Sequence, residues 1–437
     1  MNSIFEKFLF FGYHSLWYII LKIAKVFINK LPFKIQKYFE ERKYPQLVWR
    51  HSPQKNQKRI WFHAASGEFE YIKPLLRLWK AQHPEDLLFV TYFSTSARSF
   101  IQSIPEIDGW APLPFDLPQP CENFLNALNP EILIIARTDL WPTLLHKMQQ
   151  KPKILVASTW SEGSKKTSGL GRWMSLWCLN YLNKVCVVSE DDAQWLTNHS
   201  PKCNVQVTGD PRFDQVQYRL QQNRTLPLNL KTWVLNSTVL VAGSTWEEDE
   251  AVLLPAWKNF SIRNNSQLQK RLLLVPHEAS KEHLLNLQNL LRAFNLPFSL
   301  WSEVGIENSI ETSILIYDQK GWLAELYQLG SMAFIGGSFK KQVHSVMEAL
   351  GCGLPVLVGP HFKNNREAID FNQRQFQGIK FVEEVSDIDS LTQFLQLSED
   401  WSTEKRAELS EKIRSDFLQL CGATKKTFQL LQTFRSN

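Results

Sequence analysis

Short apolar segments alternate with amphipathic stretches along most of this chain, and this alternation restricts the fold more than any other feature. In the first half, the predicted strands are residues 59–64, 87–92, 132–136, 154–158, 184–189 and 206–210, with helices such as 71–82 and 194–199 between them. In the second half, they are residues 238–242, 271–275, 313–316, 332–335 and 355–358. This βαβ pattern is typical of doubly wound parallel sheets, which place sites outside the carboxyl ends of their strands. We therefore expect an α/β protein with two Rossmann-like domains facing a cleft.

The length of the chain fits this division. A chain of 437 residues is long enough for two domains of about 170 to 200 residues, each with its own core. Residues 217–236 are polar, weakly patterned and contain Pro227, which indicates a linker. The predicted domains are therefore residues 45–216 and 237–437.

Composition limits the classes of partner. The 49 basic and 43 acidic side chains give a net charge of +6, and no basic run with interleaved aromatic residues indicates a nucleic-acid groove. The 16 Trp and 28 Phe residues are many for a soluble enzyme and suggest contact with lipid or an amphipathic substrate. The six cysteines have neither CxxC nor metal-ligand spacing, so we expect reduced, buried thiols in a cytosol-facing protein without a metal site.

The amino terminus predicts a membrane anchor within residues 1–30. Residues 8–28 are dominated by large apolar side chains, interrupted by His14, Lys22 and Lys25 and followed by further lysines. A spanning helix needs about 20 such residues, and lysines near its end can extend to the headgroups. A deeply inserted interfacial helix and a soluble amphipathic helix are the alternatives, and a cleaved signal peptide is less favoured because no small-residue cleavage site follows. The lysines, including Lys30, Lys34 and Lys37, predict that the domains lie on the cytoplasmic face of the inner membrane.

A glycine-rich turn after a predicted strand of the second half indicates a nucleotide pocket. Paired Gly336 and Gly337 would let backbone amides approach a phosphate, and a helix start would follow. On that helix, Glu348 would lie about one turn past His344 and accept the hydroxyls of a ribose. An ordinary βαβ unit with a glycine turn is the alternative.

Two further positions carry candidate chemistry. The strand 59–64 leads into Ser66, Gly67 and Glu68, where a carboxylate could act as a general base, although a helix cap with an acidic residue explains the same pattern. His277 follows a strand and a proline, where an imidazole can reach a phosphate or a sugar carboxylate, or remain solvated.

A series of short motifs gives these positions a common interpretation. In chain order the motifs are His63 to Glu68, Pro114 to Pro118, Asp139 to Pro142, Gly209 to Asp214, Gly243 to Thr245, Val275 to His277, Gly336 to Ser338, His344 to Glu348, and Gly359 with Pro360. This series is similar to that of the Kdo transferases, which move 3-deoxy-D-manno-oct-2-ulosonic acid (Kdo) from CMP-Kdo onto the lipid A precursor. The resemblance covers residues 1 to 420 approximately.

The resemblance implies a GT-B fold and an inverting transfer without metal or cofactor. It also implies that the first domain binds the acceptor, that the second binds CMP-Kdo, and that membrane lipid and the lipid A precursor are the other partners. By matching position, Glu68 is the implied catalytic base, with Asp139 as a second catalytic residue. The implied donor-binding residues are Arg212, Ser244, Thr245, His277, Gly336, Gly337, Ser338, His344 and Glu348, and the acceptor-binding residues are Ser66, Gly67 and Arg137.

The chain also departs from the family pattern. The turn before Glu68 is one residue shorter, which makes Glu70 a rival base, and Arg137 stands where the first acid of a Glu-x-Glu motif is expected. Ser345 replaces an expected Asn. Residues Ser161, Glu162 and Ser164 are kept, but the arginines expected at positions 159 and 163 are absent. Two alternatives therefore stay open. One is a GT-B enzyme that uses a UDP-sugar, and the other is a non-catalytic membrane-tethered relative.

Overall fold

A parallel β-sheet flanked by helices forms each half of the chain. The computed structural model describes residues 3–43, 45–54, 56–94, 97–148, 150–160, 166–222, 224–263 and 268–435. These residues divide into a first unit, Met1–Gln215 with Leu420–Asn437, and a second unit, Val216–Gln419.

The first unit alternates strands and helices after two amino-terminal helices. Its strands are β1 (Val48–Trp49), β2 (Arg59–His63), β3 (Leu87–Tyr92), β4 (Gly109–Pro112), β5 (Ile132–Ala136), β6 (Lys153–Ser158), β7 (Lys184–Val187) and β8 (Val205–Val207). Its helices are α1 (Ser3–Phe27), α2 (Phe33–Lys43), α3 (Phe69–Gln82), α4 (Ala97–Gln102), α5 (Pro118–Leu128), α6 (Pro142–Lys147), α7 (Gly169–Leu179) and α8 (Glu190–His199), with a 3₁₀ turn at Ile28–Lys30. Helix α9 (Pro211–Gln221) runs through the division between the units.

The strand order of the first sheet is β1-β4-β3-β2-β5-β6-β7-β8, and its pairs are parallel except β1 with β4. Alternate side chains of a strand enter cores on opposite faces, as Ile60 and Phe62 do on one face and Trp61 on the other. The chain winds outward from β2 in one direction and from β5 in the other. The carboxyl ends of β2 and β5 therefore form a topological switch point, where doubly wound sheets bind their ligands.

The second unit repeats this plan. Its strands are β9 (Ser237–Thr245), β10 (Gln269–Pro276), β11 (Phe298–Leu300), β12 (Ile314–Ile316), β13 (Met332–Ile335), β14 (Val356–Val358), β15 (Gln375–Phe376), β16 (Ile379–Lys380) and β17 (Val382–Glu384). Its helices are α10 (Leu228–Trp233), α11 (Glu247–Ser261), α12 (Lys281–Ala293), α13 (Trp301–Val304), α14 (Leu323–Tyr327), α15 (Met347–Gly351), α16 (Arg366–Asn372), α17 (Ile388–Glu399) and α18 (Thr403–Gln419). The parallel sheet has the order β11-β12-β10-β9-β13-β14-β17, so its switch point lies between β9 and β13.

The prediction of an α/β protein with two parallel sheets is confirmed, but the boundaries of the units differ from those predicted. The predicted linker, residues 217–236, instead contains the end of α9 and all of α10. The final helix, α19 (Ala423–Gln432), belongs to the first unit and not to the second. Its apolar face explains this, because Leu430 and Leu431 are buried in the first core and the ring of Phe428 lies 5.6 Å from that of Trp79.

Helix α1 is not a separate anchor segment. One face packs on the first unit, where the Tyr13 hydroxyl donates to Asp116 (2.9 Å) and the ring of Phe10 lies 4.9 Å from that of Trp177. The other face is exposed and apolar and includes Phe8 and Phe11, 70% and 73% exposed. Within the described part of the chain, no helix combines the length and the apolarity that crossing a membrane requires. The predicted spanning form of the anchor is therefore not supported.

Candidate functional site

A buried histidine links the two strands at the switch point of the first unit. His63 ends β2 and is 1% exposed, and its Nε2 atom lies 2.8 Å from Oδ2 of Asp139, which follows β5. Its Nδ1 atom lies 2.9 Å from the Thr91 hydroxyl, which accepts a hydrogen bond from the indole N–H of Trp61 (2.8 Å). The Asp139 carboxylate can only accept, which assigns a proton to Nε2 of His63. Nδ1 then accepts from the Thr91 hydroxyl, whose oxygen accepts from the Trp61 indole.

The sequence analysis did not select His63 as a site residue. A histidine at the carboxyl end of a strand next to a switch point is the signal that could have identified it, but the position of the switch point depends on the strand order. Asp139, which was predicted, lies in the site with its side chain 23% exposed.

Glu68 lies at the start of α3 and holds its own turn together. Its backbone is the N-cap of the helix, and its Oε2 atom accepts the backbone N–H of Ser66 at 2.8 Å. Ser66 and Glu68 are half-buried, while Gly67 between them is exposed. The rival Glu70 forms an ion pair with Lys73 (2.8 Å) on the same helix. The turn therefore positions the Glu68 carboxylate, whereas that of Glu70 is bound by a cation.

Arg137 and Arg212, both predicted as site residues, lie against the ring of Tyr71 in α3. The Arg137 guanidinium lies 4.8 Å from the ring centroid of Tyr71 and donates to its hydroxyl, and that of Arg212 lies 4.6 Å from the same centroid. The Arg212 guanidinium donates to both carboxylate oxygens of Asp210 (3.2 Å to Oδ1, 3.1 and 2.6 Å to Oδ2). Arg212, predicted to contact the donor, thus belongs to the first unit, together with the acceptor-side Arg137.

In the second unit, the switch point brings together Ser244, Thr245 and the paired glycines. A Cβ on Gly336 would overlap the backbone of Ser244 and Thr245, so glycine is required there by the close approach of two chain segments. Thr245 is fully buried, and its hydroxyl donates to Glu250 (2.8 Å), which makes it a structural residue. Ser244 has φ of 57°, an uncommon conformation for a residue with a side chain.

The glycine turn does not present the phosphate cradle predicted from the sequence. Asp249 accepts the N–H groups of Gly337 (2.7 Å) and Phe339 (3.0 Å), so an internal carboxylate occupies the position expected for an anion. Gly337 has φ of 83°, and the Ser338 hydroxyl is fully buried, where it accepts the N–H of Gly359 (2.7 Å). Burial raises the pKa of Asp249, although these N–H groups favour its charged form. The N–H groups of Gly337 and Phe339 are therefore already bound within the protein.

A stack of three aromatic rings lies beside this turn. The rings of His277 and His344 are 4.2 Å apart and nearly parallel, and Trp246 stacks on His277 at 4.8 Å. The Trp246 indole donates to Nε2 of His344 (2.9 Å), which assigns the proton of the neutral imidazole to Nδ1. Burial, followed by the nearby His277, lowers the pKa of His344 to about 4, and burial also lowers the pKa of His277.

The exposed His277 borders a pocket of about 240 Å³ at the carboxyl ends of β9, β10 and β12. Ser244, Tyr317 and Lys320 also line this pocket. The ammonium group of Lys340 lies 3.7 Å from the ring centroid of Trp246. The pocket and the stack together offer aromatic faces and positive charge, which suit a nucleotide.

The predicted relation between His344 and Glu348 is wrong. His344 precedes α15, which begins only at Met347, so the two residues do not share a helix face. The Glu348 carboxylate forms an ion pair with Arg219 of α9. This pair could not be read from the sequence, because 129 residues separate its members.

Two remaining expectations from the sequence concern residues 161–164 and the absence of a metal site. Ser161, Glu162 and Ser164 lie outside the described residues. Among the described residues, His83, Glu85 and Asp86 have ligand atoms close enough for a metal ion, but Arg435 binds both carboxylates.

Comparison with known proteins agrees with this architecture. Residues 37–215 match the family model described as 3-deoxy-D-manno-octulosonic-acid transferase (kdotransferase). The chain is 25% identical to the 3-deoxy-D-manno-octulosonic acid transferase of Aquifex aeolicus, over 82% of this chain and 92% of that protein. It is 23% identical to the enzyme of the same name from Haemophilus influenzae, over 97% of this chain and 98% of that protein. Among solved structures, a glycosyltransferase from Rickettsia africae has a TM-score of 0.54 at 12% identity, covering 87% of this chain and 98% of that one.

The two Rossmann-like units, each with a polar cluster at its switch point, give the chain a fold of the GT-B type, and the relatives that match it are named as transferases. Within that class, the chain is similar to the Kdo transferases, through the family model in its first unit and through relatives of that name along both units. The resemblance inferred from the ordered motifs is thereby confirmed.

Proposed function

We propose that this glycosyltransferase moves Kdo from CMP-Kdo onto a hydroxyl of a lipid A precursor, by an inverting transfer that needs no metal ion. The observation that carries the proposal is that relatives named for this activity match both units, over 97% of the chain in one case. The separate clusters at the two switch points supply places for an acceptor and a donor.

In the first unit, we assign the general base to Glu68. Transfer to a hydroxyl requires a group that removes its proton as the bond to the anomeric carbon forms. The Ser66 N–H holds one oxygen of Glu68 without neutralising its charge, whereas Lys73 neutralises Glu70. His63 and Asp139 lie at the same switch point, where the Nε2–H group of His63 fixes the orientation of the Asp139 carboxylate.

In the second unit, we assign donor binding to the ring stack and the adjoining pocket. Trp246, His277 and His344 present aromatic surface, and both histidines have lowered pKa values, so they are neutral at pH 7. Lys320 and Lys340 supply the positive charge that attracts an anionic sugar nucleotide. We keep Glu348 as a ribose acceptor, with Arg219 holding its carboxylate in place.

We further propose that α1 lies in the surface of the inner membrane, with the catalytic units on the cytoplasmic side. Large apolar side chains are exposed along this helix, among them Phe8, Phe11 and Val26. Exposed Lys22, Lys25 and Lys30 follow on the same segment. This combination of apolar area and basic charge is complementary to a bilayer that contains anionic lipid, which is also where a lipid acceptor presents its sugar.

The test is incubation of the purified full chain with CMP-Kdo and tetraacylated lipid A precursor, followed by mass spectrometry of the lipid. We expect a mass increase of one or more Kdo residues, with turnover retained in EDTA. Parallel reactions with UDP-glucose and UDP-N-acetylglucosamine provide the comparison. Transfer from a UDP-sugar would contradict the donor assignment, and absence of transfer from all donors would favour a non-catalytic relative.

A further inference from the structure

Arg137, which follows β5 at the first switch point, adopts an uncommon backbone conformation. Its φ of 64° is in the left-handed region, although it is neither glycine nor asparagine, and its N–H is held by the carbonyl of Val156 (2.9 Å). Such a conformation is strained for a residue with a side chain and persists where the surroundings demand it. The side chain extends to Tyr71, where the guanidinium donates to the hydroxyl.

In the described part of the chain, two further cations, Arg212 and Lys166, lie near Arg137. Asp210 neutralises Arg212, on the same tyrosine ring. Among the described residues, no carboxylate lies within ion-pair distance of the Arg137 guanidinium. Burial, followed by the charge of Arg137, lowers the pKa of Lys166 to about 7, while Asp192 opposes that shift. An anion bound beside Arg137 would favour the charged form of Lys166.

The position of the cluster relates it to the reaction. Tyr71 follows Glu68 by three residues on α3, so both lie on the same face of the helix. Arg137 precedes Asp139 in the segment that follows β5, at the switch point. An anion held by Arg137 would therefore lie beside the proposed base, where the acceptor must place its attacking hydroxyl.

We propose that Arg137 and Tyr71, with Lys166 nearby, form a subsite for an anionic group of the acceptor sugar, either a phosphate or the carboxylate of a sugar already added. The guanidinium supplies paired N–H donors suited to either group, and the Tyr71 hydroxyl is fixed by the same contact. The assignment rests on the proposed function in that it takes a lipid-linked sugar as acceptor.

The test compares the wild-type chain with Arg137→Gln, Arg137→Lys and Lys202→Gln, the last removing an exposed positive charge from the same unit. KM is measured for CMP-Kdo and for three acceptors: the bisphosphorylated lipid A precursor, its 4′-dephosphorylated form and the product that already carries one Kdo. We expect Arg137→Gln to raise the acceptor KM at least about 10-fold, because a charged hydrogen bond to the acceptor is lost. The donor KM should not change. Arg137→Lys should recover part of this loss, and Lys202→Gln should behave as wild type.

The acceptors identify the anion. If it is a phosphate, the effect of Arg137→Gln disappears with the dephosphorylated precursor, and if it is a carboxylate, the effect is confined to the acceptor that carries Kdo. A raised donor KM, or unchanged KM values for every acceptor, would overturn the assignment. Calorimetric titration of the same lipids in detergent micelles separates this proposal from the catalytic one. Binding that depends on Arg137 without turnover would reject Kdo transfer alone, and turnover without any effect of Arg137 would reject the subsite alone.

Discussion

The Nε2 atom of His63 lies 2.8 Å from the Oδ2 atom of Asp139, across the two strands where the winding of the first sheet reverses. This contact joins a fully enclosed imidazole to a carboxylate that remains partly exposed. The imidazole is in turn fixed by Thr91 and Trp61. At this switch point, buried side chains therefore hold a partly exposed carboxylate in place.

The first prediction identifies the base. Glu68→Gln keeps an acceptor for the Ser66 N–H and loses basicity, so turnover should fall roughly 100-fold or more while CMP affinity is unchanged. Glu70→Gln, which removes the ion pair with Lys73, is the matched control and should retain near-normal turnover. Initial rates with saturating donor provide the measurement. Near-normal turnover of Glu68→Gln would transfer the role to Asp139 or Glu70.

The second prediction concerns the polar series behind His63. Thr91→Val keeps the shape but leaves the Trp61 indole N–H and Nδ1 of His63 without their partner. The free energy of unfolding should fall by about 1 to 3 kcal/mol, because both groups are buried. Thr91→Ser retains the hydroxyl and should cost less. Denaturant titration of both variants tests this, and equal losses would mean that the hydroxyl contributes nothing specific.

A third prediction separates packing from phosphate binding at the glycine turn. Gly337→Ala would place an alanine in the left-handed region of backbone conformation, at φ of 83°. Its Cβ would also clash with the carbonyl oxygen of Gln342. Gly378→Ala is the control, since Gly378 has φ of 79° but no atom within 4 Å of an added Cβ. We expect Gly337→Ala to be the more destabilising by about 1 to 3 kcal/mol, the usual cost of overpacking. Thermal unfolding measures this, and a variant that unfolds like the control but loses CMP affinity would restore the phosphate cradle.

The fourth prediction is a pH dependence from His344. Its pKa is about 4 in the folded chain and near 6.5 when unfolded, so the unfolded state binds more protons between these values. The contribution of His344 to stability is therefore complete above pH 6.5 and is lost as the pH falls toward 4. His344→Gln can still accept from Trp246 and cannot titrate, so it should lose less stability than wild type on acidification. Parallel loss in both proteins from pH 7 to 5 would show that His344 is not the group responsible.

The fifth prediction concerns the exposed face of α1. Deleting the helix would also remove Tyr13 from Asp116, so point substitutions are the cleaner test. Phe8→Glu with Phe11→Glu should lower the binding of the chain to vesicles containing anionic lipid roughly 10-fold or more, because each ring contributes about 1.5 to 3 kcal/mol when buried. Leu285→Glu, at an exposed apolar position of the second unit, should have no effect. Vesicle flotation is the measurement, and unchanged binding would direct attention to Leu170 and Trp173 of α7.

The sequence was sufficient for the features that depend on local pattern. Apolar runs of strand length identified β3, β5 and β13 with the bounds that the structure has, because a buried parallel strand must be apolar on both faces. The turn before α3 was predicted from small residues and an acid, and Glu68 does begin that helix. The ordered motifs also indicated the family, because each records a local requirement of the fold or of the site.

Only the tertiary structure determines which groups pair through hydrogen bonds, ion pairs or packing. The amides of the glycine turn are bound by Asp249, the carboxylate of Glu348 by Arg219, and α19 joins the core of the first unit. Helix α1 has the apolar content of an anchor, yet one face packs on Asp116 and its neighbours. A sequence states how apolar or charged a residue is, whereas the partner that compensates a buried charge or covers an apolar face is set by contacts between distant segments. Those contacts exist only once both sheets are formed.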